Sequence, residues 1–314
     1  MSKISVGAEE CVALGAAGHV LEAYPNREVA FGTLQVARAL PIKERRMVGP
    51  WCFLDRFGPK SFGDEKPMDV APHPHTGLQT VTWLVEGEVL HDDSLGCESI
   101  ARPGGLNVMT AGKGISHAEQ TPKVNTGILN GVQLWVALPN ETRHIDPNFQ
   151  ALEEVPTVEL PGGLVQVFSG ALANLTSTAN HYSELVGADV QVHPGEQVEF
   201  GLDPRFEHAV LILNGDCTLE GQVLEEKTLY YLGTKRSEIQ FHSREGCRIL
   251  LIGGPPFPEA ILMWWNFVGR TPEEIAQFRA DWVNNDRFGE VTAYDGPRLR
   301  APELINLARP NPVS

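Results

Sequence analysis

The sequence predicts an all-β protein built from sandwich or barrel domains. Short runs rich in β-branched and aromatic residues recur along the chain, and 31 glycines and 23 prolines spread throughout it supply the turns between them. Helical periodicity is missing until near the C-terminus. The clearest predicted strands are residues 80–85, 131–138, 164–168, 189–192, 209–213 and 248–252.

One short helix is predicted over residues 271–284. Thr271 suits the N-cap, Pro272 suits the first helical position, and Glu274 completes a capping box. The apolar stripe of this helix consists of Ile275, Phe278 and Trp282. This pattern predicts a C-terminal helix that packs on a barrel wall.

The chain is predicted to divide into two domains, residues 1–150 and 151–314. A polar, proline-containing stretch at 143–159 separates halves of nearly equal size. The halves also carry a weak sign of repetition. An apolar run followed by a polar residue, a glycine and an acid surrounds Gly87 in one half and Gly215 in the other.

Charge and hydropathy exclude several classes of protein. The chain has 25 Lys and Arg against 40 Asp and Glu, a net charge of −15, so nucleic acid and anionic membrane are not expected partners. A basic protein partner remains compatible with this charge. No apolar run reaches the roughly 18 residues that span a bilayer, and the N-terminus lacks a secretory h-region. We therefore predict a cytoplasmic protein.

The residues that indicate chemistry lie in the first half, as His73-Pro-His75 and His117-Ala-Glu119. Side chains at i and i+2 of a strand point to the same face, so each pair can converge. Two such pairs on neighbouring strands would place three imidazoles and one carboxylate around one point. A single such pair is a weak signal, because most histidines are structural, but two pairs at strand spacing favour a metal site.

This ligand set restricts the metal. Imidazoles with a carboxylate and no thiolate suit Fe, Mn, Ni, Cu or Zn, and the chain has no CxxC motif that would close a structural zinc site. In an octahedral site, four protein ligands leave two open positions. Those positions could hold a bidentate oxygen substrate, or a substrate together with O₂, which favours Fe(II) chemistry.

Four further side chains are candidates for the wall of a pocket near this site. If the strand from His75 continues, its face carries Gln79 and Trp83, and a later strand carries Gln133 and Trp135 on one face. Each is either pocket lining or ordinary packing, because buried Gln and Trp need partners for their polar atoms. Gln79 is the strongest candidate for substrate binding, with Trp83 and Gln133 behind it.

At these motifs the sequence resembles the pirin family within the cupin superfamily. The resemblance is close over the first half and looser over the second, where it includes residues 253–255 and the closing helix. Its motifs are RMVGP at 46–50, DRFGP at 55–59, PHPH at 72–75, TVTWLVEG at 80–87, MTAGKGI at 109–115, HAE at 117–119 and QLWV at 133–136.

The resemblance implies a bicupin, two tandem antiparallel β-barrels of the jelly-roll type with one metal in the N-terminal barrel. It implies that His73, His75, His117 and Glu119 are the ligands and that the metal is usually iron. Aligning Gly87 with Gly215 predicts that the C-terminal barrel has lost its metal. In the second half, His193, His208 and His242 do not recreate the pairs.

Our first functional hypothesis is an Fe(II)-dependent dioxygenase of quercetin, other flavonols or other enolisable aromatics. The metal would bind the substrate oxygen and lower its pKa, and Glu119 would accept the proton if it loosens from the metal. The alternative is a non-enzymatic, iron- and redox-dependent regulator that binds a partner protein, since the resemblance includes such co-regulators. A third possibility is an isomerase or hydrolase that uses another divalent metal.

Overall fold

The computed structural model describes residues 9–11, 19–31, 34–63 and 68–304, and within these ranges it confirms the all-β prediction. The strands of the first half are β1 (Glu9–Cys11), β2 (His19–Pro25), β3 (Arg27–Phe31), β4 (Leu34–Leu40), β5 (Trp51–Ser61), β6 (Asp69–His75), β7 (Leu78–Gly87), β8 (Val89–Asp93), β9 (Glu98–Ala101), β10 (Leu106–Thr110), β11 (Ile115–Gln120), β12 (Ile128–Ala137) and β13 (Asn148–Leu152).

The second half continues with strands and ends in one helix. Its elements are β14 (Thr157–Leu160), β15 (Gly163–Leu172), β16 (Leu175–Thr176), β17 (Val186–Val192), β18 (Gln197–Gly201), β19 (Glu207–Gly215), β20 (Cys217–Leu219), β21 (Gln222–Leu224), β22 (Thr228–Gly233), β23 (Glu238–His242), β24 (Cys247–Gly254), β25 (Ile261–Trp264), β26 (Phe267–Gly269) and α1 (Pro272–Val283). All six predicted strand segments fall on strands of the structure, with only Leu138 lying one residue beyond the end of β12.

The N-terminal domain consists of two antiparallel sheets that enclose an apolar core. The larger sheet has the order β13-β10-β7-β12-β5-β4-β3, and the smaller one has the order β6-β11-β8-β9. Both sheets contribute to the core, which includes Val36, Phe57, Val70, Leu84 and Val89. The interior of this domain is therefore the space between β6–β11 and the larger sheet.

The C-terminal domain repeats this arrangement. Its larger sheet has the order β14-β15-β17-β24-β19-β22-β2, with β16 paired to β15, and its smaller sheet has the order β18-β23-β20-β21. Side chains from both sheets fill the space between them, and among them are Val190, Phe200, Leu219, Phe241 and Ile249.

The larger sheets of the two domains pack against each other. Their shared core includes Trp51 and Trp83 from the first domain and Phe168 and Tyr231 from the second. The strand β2 pairs with β22, so a segment from the start of the chain completes the C-terminal sheet. We propose that the main division lies a few residues after 150, between β13 and β14, with β2 assigned to the C-terminal domain.

The predicted helix is present, and Thr271 is its N-cap as expected. The capping box is not complete, because Glu274 Oε2 accepts from the N–H of Arg270 at 2.6 Å, one residue before the N-cap. Thr271 Oγ1 accepts a hydrogen bond from the Glu274 N–H at 3.2 Å. The prediction placed the apolar stripe of this helix on a barrel wall. In the structure, the stripe packs against Trp264 and Phe267 of the β25–β26 hairpin. At 12 residues, this described helix is too short to cross a membrane, and no other described helix could do so.

Candidate metal centre

Two neighbouring strands of the small N-terminal sheet carry the histidines. His73 and His75 lie on β6, His117 lies on β11, and His117 stands opposite His73 in the antiparallel register. Alternation along each strand turns these side chains to the same side, toward the larger sheet. All three are buried, with at most 7% of any of them exposed.

The structure brings these three imidazoles together. His73, His75 and His117 each offer one ring nitrogen that could bind a metal, and these three nitrogens lie within 4.8 Å of one another. The ring centroids are 4.3 Å apart for His73 and His117, 4.9 Å for His75 and His117, and 5.0 Å for His73 and His75. Three ring nitrogens at this spacing can share one metal ion.

The hydrogen bonds of the rings leave Nε2 for the metal. His73 Nδ1 lies 3.0 Å from the Ala71 carbonyl oxygen, and His75 Nδ1 lies 3.2 Å from the Asn266 carbonyl oxygen. The Nε2 of His117 is buried and has no hydrogen-bond partner among the described residues. Histidine ligands of metals characteristically donate their second N–H to such partners, so these residues fit a metal.

Burial also holds the imidazoles in the form that binds metals. It lowers the pKa of His73 to about 4 and the pKa values of His75 and His117 well below their usual range. All three rings are therefore neutral at neutral pH, and only a neutral imidazole has a lone pair for coordination.

Glu119 lies beside this cluster but outside it. The pairing of β11 with β6 is irregular between His117 and Glu119, so that Glu119 stands opposite Val70. Its side chain lines the same cavity as the histidines, and burial raises the pKa of its carboxyl group. Its role as the fourth ligand stays a prediction.

Aromatic side chains cover the cavity wall next to His75. Trp135 stacks on Phe53 with ring centroids 4.0 Å apart, and it lies nearly perpendicular to the His75 ring with centroids 5.1 Å apart. The Arg38 guanidinium lies over Phe53 at 4.6 Å and forms two 2.7 Å hydrogen bonds with Asp55. Sequence reasoning missed Phe53 and this ion pair, because β4 and β5 carry no local sign that they border the histidines.

The C-terminal half supplies another wall of the same cavity. Trp265 and Asn266 form the turn between β25 and β26, and both line the cavity together with Leu299. Trp265 adopts φ of 52°, a left-handed conformation that is rare for a bulky residue. No sequence signal had connected these residues with the histidines, which lie far earlier in the chain.

Of the three residues predicted to bind substrate, Gln133 lines the cavity, whereas Gln79 and Trp83 lie elsewhere. The Oε1 of Gln133 accepts a hydrogen bond from Thr82 Oγ1 at 2.9 Å. Gln79 instead donates to Thr110 Oγ1 and to the Asn180 carbonyl, and Trp83 Nε1 donates to Asp189 at 2.7 Å. Both side chains are completely buried where the domains meet.

A turn explains why Gln79 and Trp83 lie elsewhere. The prediction continued one strand from His75, but β6 ends there and β7 begins at Leu78 in the other sheet. Gly77 lies between them with φ of 69°, which resets the alternation of side chains. Residues of the opposite parity, such as Thr80, face the cavity.

These features define a class of protein, a two-domain cupin with a buried three-histidine metal site in its N-terminal domain. The pirin family model matches residues 33–136, and the model of the pirin C-terminal cupin domain matches residues 187–289. The chain therefore belongs to the pirin family.

Relatives support this assignment. A candidate quercetin 2,3-dioxygenase of Pseudomonas aeruginosa is 42% identical over 91% of both chains. A crystal structure of quercetin 2,3-dioxygenase from Acinetobacter baumannii is 41% identical with a TM-score of 0.88, covering 92% of this chain and 97% of that one. The Escherichia coli pirin YhhW, solved with nickel(II), is 17% identical over 76% of this chain and 100% of that one. Its TM-score of 0.61 supports the fold alone.

Proposed function

We propose that this chain is a cytoplasmic, Fe(II)-dependent dioxygenase that opens quercetin, other flavonols or other enolisable aromatic substrates with O₂. The observation that carries this proposal is the buried cluster of three neutral histidines on an aromatic-lined cavity. Relatives that bear the name quercetin 2,3-dioxygenase support the class of reaction.

The metal would be held by Nε2 of His73, His75 and His117, with Glu119 as the fourth ligand. When bound, it would polarise a substrate oxygen as a Lewis acid, and iron would add the redox capacity that O₂ chemistry requires. Mn, Ni, Cu and Zn also suit these ligands, so metal analysis is part of the test. The residues of the C-terminal domain are proposed to bind no metal.

The cavity walls suit a planar aromatic substrate. The stacked Phe53 and Trp135 pair and the nearby Trp265 provide flat apolar surfaces, on which an aromatic ring can stack favourably. Gln133 and the Arg38–Asp55 pair provide the polar groups of the same wall. We propose that Gln133 contacts the substrate, whereas Gln79 and Trp83 join the domains.

In this proposal, Glu119 accepts the substrate proton after it loosens from the metal. Its carboxyl group lines the cavity near the three imidazoles, so a hydroxyl group on a bound substrate can come within hydrogen-bond reach. Removal of this proton creates the electron-rich enolate that reacts with O₂.

The experiment measures iron per chain after anaerobic purification, and then O₂ uptake with quercetin on the same sample. We expect near-stoichiometric iron and uptake for the wild type, and loss of both in His117→Ala. His193→Ala is the matched control, because this exposed histidine lies outside the cavity. Uptake that survives the loss of metal in His117→Ala would contradict the proposal.

The same samples separate the alternatives. Stoichiometric iron without O₂ uptake across a panel of phenolic substrates would contradict the dioxygenase and favour the regulator that binds a partner protein. A different stoichiometric metal with no uptake would favour an isomerase or hydrolase.

A further inference from the structure

We propose that Asp93 and His91 form a positioning relay that fixes the tautomer of His117 and thereby turns its Nε2 lone pair toward the cavity. The proposal rests on the metal site described above. Strand β8, which carries both residues, lies beside β11 in the small sheet, with Asp93 opposite His117 and His91 opposite Glu119.

The relay is a continuous chain of hydrogen bonds inside the domain. Asp93 Oδ2 lies 3.2 Å from His91 Nε2, and His91 Nδ1 lies 3.3 Å from His117 Nδ1. All three residues are at most 4% exposed. The His91 ring is held in its plane by Phe149, which stacks on it with centroids 4.4 Å apart.

The direction of each hydrogen bond follows from the carboxylate end. A carboxylate only accepts, so His91 Nε2 must carry a proton to bond with Asp93. With one proton on each imidazole, His91 Nδ1 is then an acceptor, and His117 Nδ1 must be the donor. The lone pair of His117 is thereby left on Nε2, the buried atom that has no hydrogen-bond partner among the described residues.

His117 needs this relay, whereas the other two histidines do not. The Nδ1 atoms of His73 and His75 face backbone carbonyl oxygens, which can only accept and therefore fix the tautomer alone. The Nδ1 of His117 faces another imidazole, which can either donate or accept. Asp93 removes this ambiguity indirectly, because it fixes the proton of His91, and His91 in turn fixes that of His117.

Asp93 itself is fixed by the backbone. Its Oδ1 accepts hydrogen bonds from the N–H groups of Leu95 at 2.8 Å and Cys97 at 3.0 Å. In Asp93→Asn, the amide oxygen would keep these two donors, which forces the NH₂ group toward His91. That group donates, so both imidazoles would exchange tautomers and the proton of His117 would sit on Nε2.

We therefore expect the two variants of Asp93 to rank in opposite order for metal affinity and for the stability of the apoprotein. Asp93→Asn should weaken metal binding by about 10- to 100-fold, the usual effect of disturbing a partner of a metal ligand. Asp93→Ala removes the bias without reversing it, so it should weaken metal binding less. The alanine variant should nevertheless be the less stable apoprotein, because the N–H groups of Leu95 and Cys97 lose their acceptor.

The test uses the full-length protein with ¹⁵N-labelled histidine, freed of metal. Long-range ¹H–¹⁵N spectra report the tautomer, and chelator competition with Fe(II) under anaerobic conditions reports affinity. We expect Nδ1–H on His117 in the wild type, Nε2–H in Asp93→Asn, and the affinity order wild type, Asp93→Ala, Asp93→Asn. A purely structural role for Asp93 would instead make the alanine variant the weakest binder.

Two results would overturn the relay: Nε2–H on His117 in the wild type, or wild-type iron affinity in Asp93→Asn. These results can be told apart from failure of the proposed metal site. If that site is wrong, the wild type binds no Fe(II), but the tautomers of the apoprotein still test the relay. If Asp93→Asn does not fold, the wild-type tautomer and the Asp93→Ala affinity decide the question.

Discussion

Each domain contains a four-stranded sheet with the same strand arrangement, but the inner face of this sheet carries histidines in the first domain and apolar side chains in the second. The order β6-β11-β8-β9 in the first domain corresponds to β18-β23-β20-β21 in the second. On the paired strands β6 and β11, His73 stands opposite His117. On β18 and β23, Phe200 stands opposite Ile239 and Val198 opposite Phe241.

This difference separates packing from binding within one architecture. The four apolar residues of β18 and β23 belong to a continuous core, with at most 7% of any of them exposed. The histidines of the first domain line a cavity and leave the Nε2 of His117 without a partner among the described residues. Burying unsatisfied imidazole nitrogens costs stability, so the first domain trades local stability for a binding site.

The largest effect on stability is expected from the filled domain. Phe241→Ala removes a fully buried ring and should lower the free energy of unfolding by about 3–5 kcal/mol, because the surrounding sheets cannot close the space completely. Its iron content should stay at the wild-type level. Urea denaturation of the metal-free protein and metal analysis check the two statements.

The matched change in the first domain is His117→Ala, which should abolish iron binding with a smaller loss of apoprotein stability. It enlarges an existing cavity and removes an unsatisfied nitrogen. Loss of iron in Phe241→Ala, or an equal loss of stability in the two variants, would break the comparison between a packing domain and a binding domain.

The next largest effect is expected from the metal itself. Metal that binds only the folded state at 100 times its dissociation constant stabilises that state by about 2.7 kcal/mol. Thermal unfolding with and without a chelator should show this gain in the wild type and in Phe241→Ala. The gain should be absent from His117→Ala, and a gain that persists in this variant would place the metal elsewhere.

The sequence predicted that His73 and His75 converge because this geometry is local, whereas the approach of His117 depends on the pairing of β11 with β6. Residues two apart on a strand share a face, so His73 and His75 had to converge once their segment formed β6. The fold class and the capped helix were predicted from equally local patterns. In each case the signal and the structure it predicts lie within a few residues of one another.

What the sequence could not predict depends on contacts between distant segments. Trp265 and Asn266 reach the cavity because the β25–β26 hairpin lies over the first domain, where Phe267 pairs with Thr76. His91 and Asp93 approach His117 only because β8 pairs with β11. The sequence also placed Gln79 and Trp83 on the same strand as His75. The turn at Gly77 instead moves the chain from the small sheet to the large one.

The smallest effect is expected where the two domains meet. Trp83 stacks on Phe168 and donates to Asp189, which also accepts from Arg248 at 2.7 Å. Trp83→Phe replaces the indole with a smaller aromatic ring and removes one of the two side-chain partners of this buried carboxylate. We expect a loss of about 1–3 kcal/mol of unfolding free energy, because Asp189 keeps Arg248 as a partner while the smaller ring leaves some space unfilled.

Gln133→Leu should show the reverse pattern, because Gln133 lines the cavity and Trp83 does not. It should raise the KM for quercetin and lower the free energy of unfolding by only about 1 kcal/mol, because the Thr82 hydroxyl loses its acceptor on the half-buried Gln133. Trp83→Phe should leave KM unchanged. Steady-state O₂ uptake and urea denaturation of both variants provide the comparison. A raised KM in Trp83→Phe with none in Gln133→Leu would move substrate binding from the cavity of the first domain to the contact between the domains.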